Sequence, residues 1–317
     1  IMWYLQQKNG GKLHVLVATS GDTGGAVAMG FHNLPGIRVT ILFPKEKVSY
    51  YQRLQLTRLG GNVQAFEVEG TFDDCQALVK GCFNDVVFRK KHGLTSANSI
   101  NISRLIPQSV YYAHTIAQLP IGMRTIVAVP SGNFGNITAG LLAWKLGMPV
   151  EHFVAAVNAN RVFTDYLSTG NYRPASTVAT LSNAMDVGSP SNFVRLERMF
   201  HSDVDAVRQL ISSYSVSDEQ TLKALHELYY LYGYASEPHT AVAWHALQQF
   251  STQNGEDYDL AICLGTAHPA KFFNELPDYL KAAISIPKSL TDLAQYHENV
   301  HPVANDLTVV KSMLDRV

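Results

Sequence analysis

Short β-branched apolar runs alternate along the chain with segments whose apolar residues recur every three to four positions, and small-residue turns lie between them. Residues 13–18 (LHVLVA) predict a strand that leads through Thr19-Ser20-Gly21-Asp22-Thr23-Gly24 into the helical pattern GAVAMGF. Residues 37–43 predict the next strand, 51–59 a helix stopped by Gly60-Gly61, and 62–68 a third strand. Thr71 and Asp74 have the spacing of a capping box, after which Cys75, Leu78, Val79, Cys82 and Phe83 line one helical face. Strand, turn and helix return in that order in VAVPSGNFGNITAGLLAW, 127–144, and 153–157 predicts another strand. Alternation of this kind predicts an α/β protein of two lobes, with mostly parallel twisted sheets covered by helices.

Residues 1–12 read as the remnant of an N-terminal helix, 13–120 as a smaller lobe and 121–317 as a larger one, with an inserted region at about 168–215. From 168 to 190 the pattern dissolves into Ser, Thr, Gly, Pro and Asn. Ser217 and Gln220 then cap a helix expected to point Leu222, Leu225, Tyr229 and Tyr232 inward and to end at Gly233. Pro238 opens a further helix to about residue 250, and 259–264 predicts a last buried strand that runs into Gly265-Thr266-Ala267-His268-Pro269.

With 46% hydrophobic and 16% charged residues among 317, the composition is that of a globular protein, and no segment approaches the roughly 20 apolar residues of a membrane helix. The formal charge of -1 gives no general pull toward nucleic acid or an anionic membrane, so any anion must be held by local geometry. Cys75, Cys82 and Cys263 are too few and too scattered for a disulfide framework, which leads us to expect buried free thiols and a cytoplasmic setting. The 12 histidines include no metal-binding spacing, so His239, His245 and His268 read as surface, supporting or core histidines and no metal is expected.

Backbone N–H groups at a helix N-terminus lack intrahelical partners and sit at the positive end of the helix dipole, which makes a glycine-rich strand-to-helix turn an anion site. The chain has two such turns, 19–25 (TSGDTGG) and 131–136 (SGNFGN), each expected at the carboxyl end of a parallel strand. A tight connection that uses glycine only for backbone freedom reads equally well for either turn alone. Neither contains the lysine of a P-loop or the spacing of a dinucleotide fingerprint, and no nucleophile elbow surrounds Ser20 or Ser131. In a third cluster, 96–104 (SANSINISR), a helix beginning near Asn101 would place Asn98 and Ser99 at its entry and Arg104 one turn in, suited either to an anion or to plain capping. Three anion-compatible sites suggest a phosphorylated cofactor beside a substrate with anionic groups.

Taken in order, these motifs resemble the threonine synthases, pyridoxal-phosphate enzymes of fold type II in the tryptophan-synthase β family. The matching segments are ATSGDTGGAVA, LGGNVQAFEVEGTFDDCQALV, SANSINISR, VPSGNFGNITAGLLA, ATLSNAMDVGSPSNF, SEPHTAVA and LGTAHPAKF, spread from about residue 13 to about 288. The resemblance implies that Gly132, Asn133, Phe134, Gly135 and Asn136 cradle the phosphate of pyridoxal 5'-phosphate (PLP), that Asp22 lies near its 3'-oxygen, and that Thr266 faces its pyridine nitrogen. It further implies that Ser20 and Thr23 meet the substrate carboxylate and that Asn98, Ser99 and Arg104 clasp the substrate phosphate. The implied reaction converts O-phospho-L-homoserine and water to L-threonine and phosphate, in a monomer or homodimer. Relatives place the Schiff-base lysine in a motif expected upstream of Ile1, since Lys8 and Lys12 lie too close to the strand and Lys271 belongs to a different motif. The expectation is therefore the inactive body of such an enzyme without its N-terminal segment. A phospho-lyase of the same fold, or a relative that binds PLP or phosphohomoserine without turnover, stays open as an alternative.

Overall fold

The computed structural model describes residues 2–19, 21–46, 48–98, 101–255 and 257–316, the side chains of Asn9 and Asp22 excepted. In chain order, the strands are β1 (Leu13–Ala18), β2 (Ile37–Pro44), β3 (Val63–Val68), β4 (Leu94–Thr95), β5 (Thr125–Pro130), β6 (His152–Val157), β7 (Ile211–Ser215), β8 (Leu260–Cys263) and β9 (Val300–Val303). Two compact units divide the chain, one formed by residues 1–98 with 285–317 and the other by residues 99–284.

The first unit is built on a parallel sheet of order β4-β1-β2-β3-β9. Successive side chains of a strand point to opposite faces, and here both faces are covered. Val15 and Val17 join Ile37, Val39 and Ile41 in one cluster, while Leu16 and Ala18 join Leu42, Phe66 and the helix Phe72–Asn84 in another. That is why the strands read as continuous apolar runs instead of alternating ones. Thr71 and Asp74 form the capping box, and Cys75, Leu78, Val79 and Cys82 are buried beneath it.

The second unit has a parallel sheet of order β7-β6-β5-β8. One face carries the helices Leu105–Ile116 and Gly135–Lys145, where a Cβ on Gly140 would stand 2.6 Å from the Tyr112 ring, so the absent side chain lets the two helices meet. The other face carries the helix Pro238–Asn254 through Val242, Ala243 and Ala246.

Five features differ from the sequence reading. Residues 99–120, expected in the smaller lobe, fall in the second unit, where the helix Leu105–Ile116 packs on Gly135–Lys145. Residues 285–317 belong with the first unit, because β9 pairs with β3 and Val310 and Leu314 of the helix Leu307–Asp315 enter its core. The strand VHPV is short and interrupted by proline, which leaves no pattern to read. Within the region taken as an insertion, ISSYS forms β7 on β6, an edge strand whose serines hide its period. On the helix Asp218–Tyr232 the buried positions are Thr221, Ala224, Leu225 and Leu228, and Leu222 and Tyr232 are exposed. Leu225 points inward as expected and Tyr229 packs half-buried on the same cluster, while Thr221, Ala224 and Leu228 take the inward places expected for Leu222 and Tyr232. The last strand, β8, is only half-buried, and Cys263 with it.

Candidate functional site

In the second unit three neighbouring strands deliver polar groups to one edge of the sheet. β5 ends in the turn 131–136, β6 in Asn158, and β8 in Leu264, whose N–H reaches the Ala128 carbonyl at 3.0 Å before the chain arrives at the exposed Thr266. The carboxyl end of a parallel sheet is where ligands bind in such folds.

The turn itself is anchored from below. Ser131 donates from its N–H to the Ala156 carbonyl (2.8 Å) and from its hydroxyl to the Val129 carbonyl (2.8 Å). Phe134 adopts the left-handed conformation at φ 61°, a costly state for an aromatic residue, and is held there by burial against Phe163, with ring centroids 4.7 Å apart. Phe134 thus stands as the N-cap of the helix Gly135–Lys145, with no side-chain cap on the helix's first amides. Among the described residues the N–H groups of Gly132, Phe134, Gly135 and Asn136 find no acceptor in the chain. Asn136 is fixed by the Tyr112 hydroxyl, which donates to its Oδ1 at 2.9 Å and its carbonyl at 3.1 Å. Burial pushes the Tyr112 phenol far up, so it stays a donor.

A second layer of residues, which the sequence reading did not assign to the site, holds the turn from above. Asn133 Oδ1 accepts from the Ser191 N–H (2.6 Å) and hydroxyl (3.0 Å), and its carbonyl accepts from Asn192 Nδ2 (2.8 Å). Gly132 lies directly under Met185, where a Cβ would stand 2.5 Å from the Met185 Cα. The segment that carries Met185 is itself fixed. Asp186 accepts from Asn158 Nδ2 (2.8 Å) and from the Thr180 hydroxyl (2.7 Å) and N–H (3.0 Å), and burial outweighs these bonds to raise its carboxyl above the usual range.

His239 reaches the same segment, its Nε2 accepting from the Ala184 N–H at 3.1 Å. That lone pair puts the proton on Nδ1, which donates to Glu237 at 2.5 Å. Glu237 is 1% exposed and caps the helix Pro238–Asn254, also accepting from the N–H groups of His239 and Thr240. Burial by itself would raise its carboxyl, but the interaction with His239 and the hydrogen bonds from Thr240 bring it below the usual range. The start of this helix at Pro238 was legible, yet nothing in SEPH announces that its capping carboxylate is buried.

In the first unit the turn after β1 is closed differently. Thr19 Oγ1 accepts from the N–H groups of Gly21 (2.9 Å) and Gly24 (2.8 Å), so part of its donor set is used internally. Gly21 has φ 144° and lies against the Gln52 amide, leaving no room for a side chain. Thr23 is half-buried in the first turn of the helix Asp22–Phe31. Asn98, which follows β4, has a buried Oδ1 with no partner among the described residues. Ser20, Ser99 and the Asp22 side chain lie outside the described residues. In the second unit Arg104 ends a short 3-10 turn, Ile102–Arg104, capped by Asn101, and is half-buried; desolvation lowers its guanidinium from the ordinary value.

The family described as pyridoxal-phosphate dependent enzyme matches residues 1–264, and the family described as threonine synthase, C-terminal, matches residues 240–314. Threonine synthase of Escherichia coli is 45% identical over 302 residues, covering 95% of this chain and 69% of that protein. This chain belongs to the threonine synthase family. Threonine synthase of Buchnera aphidicola from Acyrthosiphon pisum is 43% identical over 96% of the chain and 71% of its own length. Among solved structures, threonine synthase from E. coli superposes with a TM-score of 0.88 at 42% identity, covering 98% of this chain and 72% of that one. The PLP-bound threonine synthase from Brucella melitensis does so with a TM-score of 0.88 at 32% identity, covering 99% and 73%. The fold is that of the type II pyridoxal-phosphate enzymes, and PLP is the family's cofactor. The turn 131–136 suits that group on physical grounds, since amides without acceptors at a helix N-terminus match a phosphate. Among the described residues no helix is long and apolar enough to cross a membrane.

Proposed function

We propose that this chain carries the cofactor-phosphate cradle and the substrate-anion groups of an enzyme that converts O-phospho-L-homoserine and water to L-threonine and phosphate. The open amides of Gly132, Phe134, Gly135 and Asn136 carry this reading, because they make a phosphate site that needs no cationic side chain. Asn133 belongs to the same cradle through its backbone, its side-chain oxygen being engaged by Ser191.

PLP, when bound, would supply an electron sink that lets protons leave the carbon bearing the substrate amine and then the carbon beyond it. In this reading the chain's residues bind and orient. Thr266 meets the ring nitrogen with a neutral hydroxyl, and Asp22 stands by the ring oxygen. Ser20 and Thr23 receive the substrate carboxylate. Asn98, Ser99 and Arg104 receive the substrate phosphate, a role supported by the partly desolvated guanidinium of Arg104, a charged donor suited to an anion.

We further propose that none of Lys8, Lys12 and Lys271 is the lysine that links to the cofactor. Lys8 is exposed in the last turn of the helix Met2–Asn9, and Lys12 is exposed at the amino end of β1, the opposite end from the turn 19–24. Lys271 sits in a short 3-10 helix, Pro269–Glu275.

Calorimetry with PLP and then O-phospho-L-homoserine tests the binding roles. Both are expected to bind, and Arg104→Gln is expected to weaken the phosphorylated substrate about tenfold or more, the size of a lost charge-assisted hydrogen bond. Borohydride reduction followed by mass analysis should leave the three lysines unlabelled. Failure of PLP to bind, or a label on one of them, overturns the corresponding assignment. If turnover yields a keto acid in place of threonine, the reaction is that of a phospho-lyase.

A further inference from the structure

The amino-terminal edge of the first unit's sheet opens into a cavity of about 740 Å³, at the opposite end of the strands from the turn 19–24. Its size is in the range of small-molecule sites. Lys12, Arg38, Lys90 and Lys91 line it together with His14 and His92, and no acidic residue is among its lining residues. Asp315 offsets part of this charge, pairing with Lys91 at 2.5 Å and His92 at 2.7 Å. Lys12, Arg38 and Lys90 form no ion pair among the described residues. The whole chain has a formal charge of -1, so the concentration of cations here is local.

Lys90, Lys91 and His92 occupy the last turn of the helix Val86–His92, where positive charge favours the helix dipole. That accounts for those three alone. Lys12 precedes β1 and Arg38 is on β2, so cations from three separate elements converge on one cavity. Arg38 is the single exposed position of β2 and pairs in register with His14 on β1. The floor is polar as well. His14 is 3% exposed and its Nε2 lies 2.7 Å from Thr40 Oγ1, which accepts from Gln64 Nε2 at 2.8 Å, a buried polar row across three adjacent strands. Such a row is costly in a parallel sheet buried on both faces unless every member is bonded. A polar floor and a cationic rim that Asp315 neutralises only in part together describe an anion receptor.

We propose that this cavity is a second ligand site, distinct from the turn 131–136, that takes a small polyanion carrying two linked phosphate groups. Spaced cations on several elements favour a ligand whose charge is spread over more than one phosphate, as in free pyrophosphate or the diphosphate of a nucleotide. The site stands independently of the cofactor and substrate roles assigned above.

Calorimetric titration of the chain at fixed ionic strength with orthophosphate, pyrophosphate and ADP tests it. Pyrophosphate is expected to bind at least about tenfold more tightly than orthophosphate, to keep binding in the presence of saturating PLP, and to weaken about tenfold in Arg38→Gln. Lys12→Gln, at a position outside the sheet, is expected to weaken it too, and circular dichroism of both variants separates this loss from unfolding. ADP binding as tightly as pyrophosphate identifies a nucleotide diphosphate as the source, and exclusion of ADP identifies the free anion. Equal affinity for orthophosphate and pyrophosphate, displacement by PLP, or indifference to both substitutions while the variants remain folded would overturn the proposal.

Discussion

Replacing Gly132 by alanine tests the cofactor cradle at its tightest point. The added Cβ would lie 2.5 Å from the Met185 Cα and 3.0 Å from its carbonyl oxygen, against the roughly 3.5 to 4.0 Å of ordinary contact. Both neighbours are backbone, so no rotamer change relieves the clash, and the two chains must part by about 1 Å. The Met185 side is poorly able to yield, with Ala184 tied to His239, Asp186 tied to Asn158 and Thr180, and the Met185 N–H on the Ser182 carbonyl at 2.9 Å. Displacement therefore falls on the turn whose amides would face the phosphate. An amide moved by about 1 Å no longer makes a hydrogen bond, and losing one or two such bonds to a charged group costs about 2 to 4 kcal/mol, roughly 30- to 1,000-fold in Kd. Overpacking is expected to lower stability by about 1 to 3 kcal/mol as well. The assay is PLP affinity by calorimetry, with urea unfolding alongside. Gly265→Ala is the steric control, since its Cβ would meet nothing nearer than the Tyr234 hydroxyl at 3.5 Å. If Gly132→Ala bound PLP within about threefold of the parent and unfolded at the same midpoint, the tight covering of this turn would not matter to the cofactor and the reasoning would fail.

Substituting His239 by leucine strands the Ala184 N–H and removes one donor from buried Glu237, so a stability loss of about 2 to 4 kcal/mol and a fall in PLP affinity are expected, with His239→Gln recovering part of both; equal behaviour of the two variants would argue against a positioning role. His14 is held neutral, burial and then the nearby charges of Arg38 and His92 lowering it to about 4. The folded state thus binds fewer protons than the unfolded state below pH 6.5, and stability that is full above that pH drains away as pH falls toward 4, by about 2 kcal/mol between pH 7 and 5. His14→Gln should flatten that part of a urea-midpoint profile, and an unchanged slope would exclude His14 as its source. Burial lifts the Cys75 thiol to about 12 and Cys82 to about 11, so iodoacetamide at pH 8 should label neither in the native protein and both in urea.

Much of the architecture was readable because parallel strands buried on both faces are predominantly apolar, and β1, β2, β3, β5 and β6 each keep a mainly apolar run around their few polar positions. Where burial is partial the reading weakened. β7 carries three serines and β9 a proline, and neither could be told from loop without the strand it pairs with. The capping boxes at Thr71 and Ser217 were legible because a cap is local chemistry within four residues. The inward face of the helix Asp218–Tyr232 was read correctly at Leu225 but not at Leu222 and Tyr232, because packing against a neighbouring helix took Thr221 and Ala224 in their place.

The sequence by itself determined the order of strand, turn and helix, the two glycine-rich turns, and the resemblance that names the cofactor and the reaction. All of these are written in residues close together along the chain. Tertiary structure decided what surrounds the turns: Met185 over Gly132, Ser191 and Asn192 on Asn133, Tyr112 under Asn136, and the buried Glu237 and His239 behind them. It also decided that the cations at residues 12, 38 and 90 share one cavity. The physical reason is range, because backbone geometry and capping are fixed by near neighbours, while the desolvation and hydrogen bonding that give a side chain its role come from residues tens of positions away.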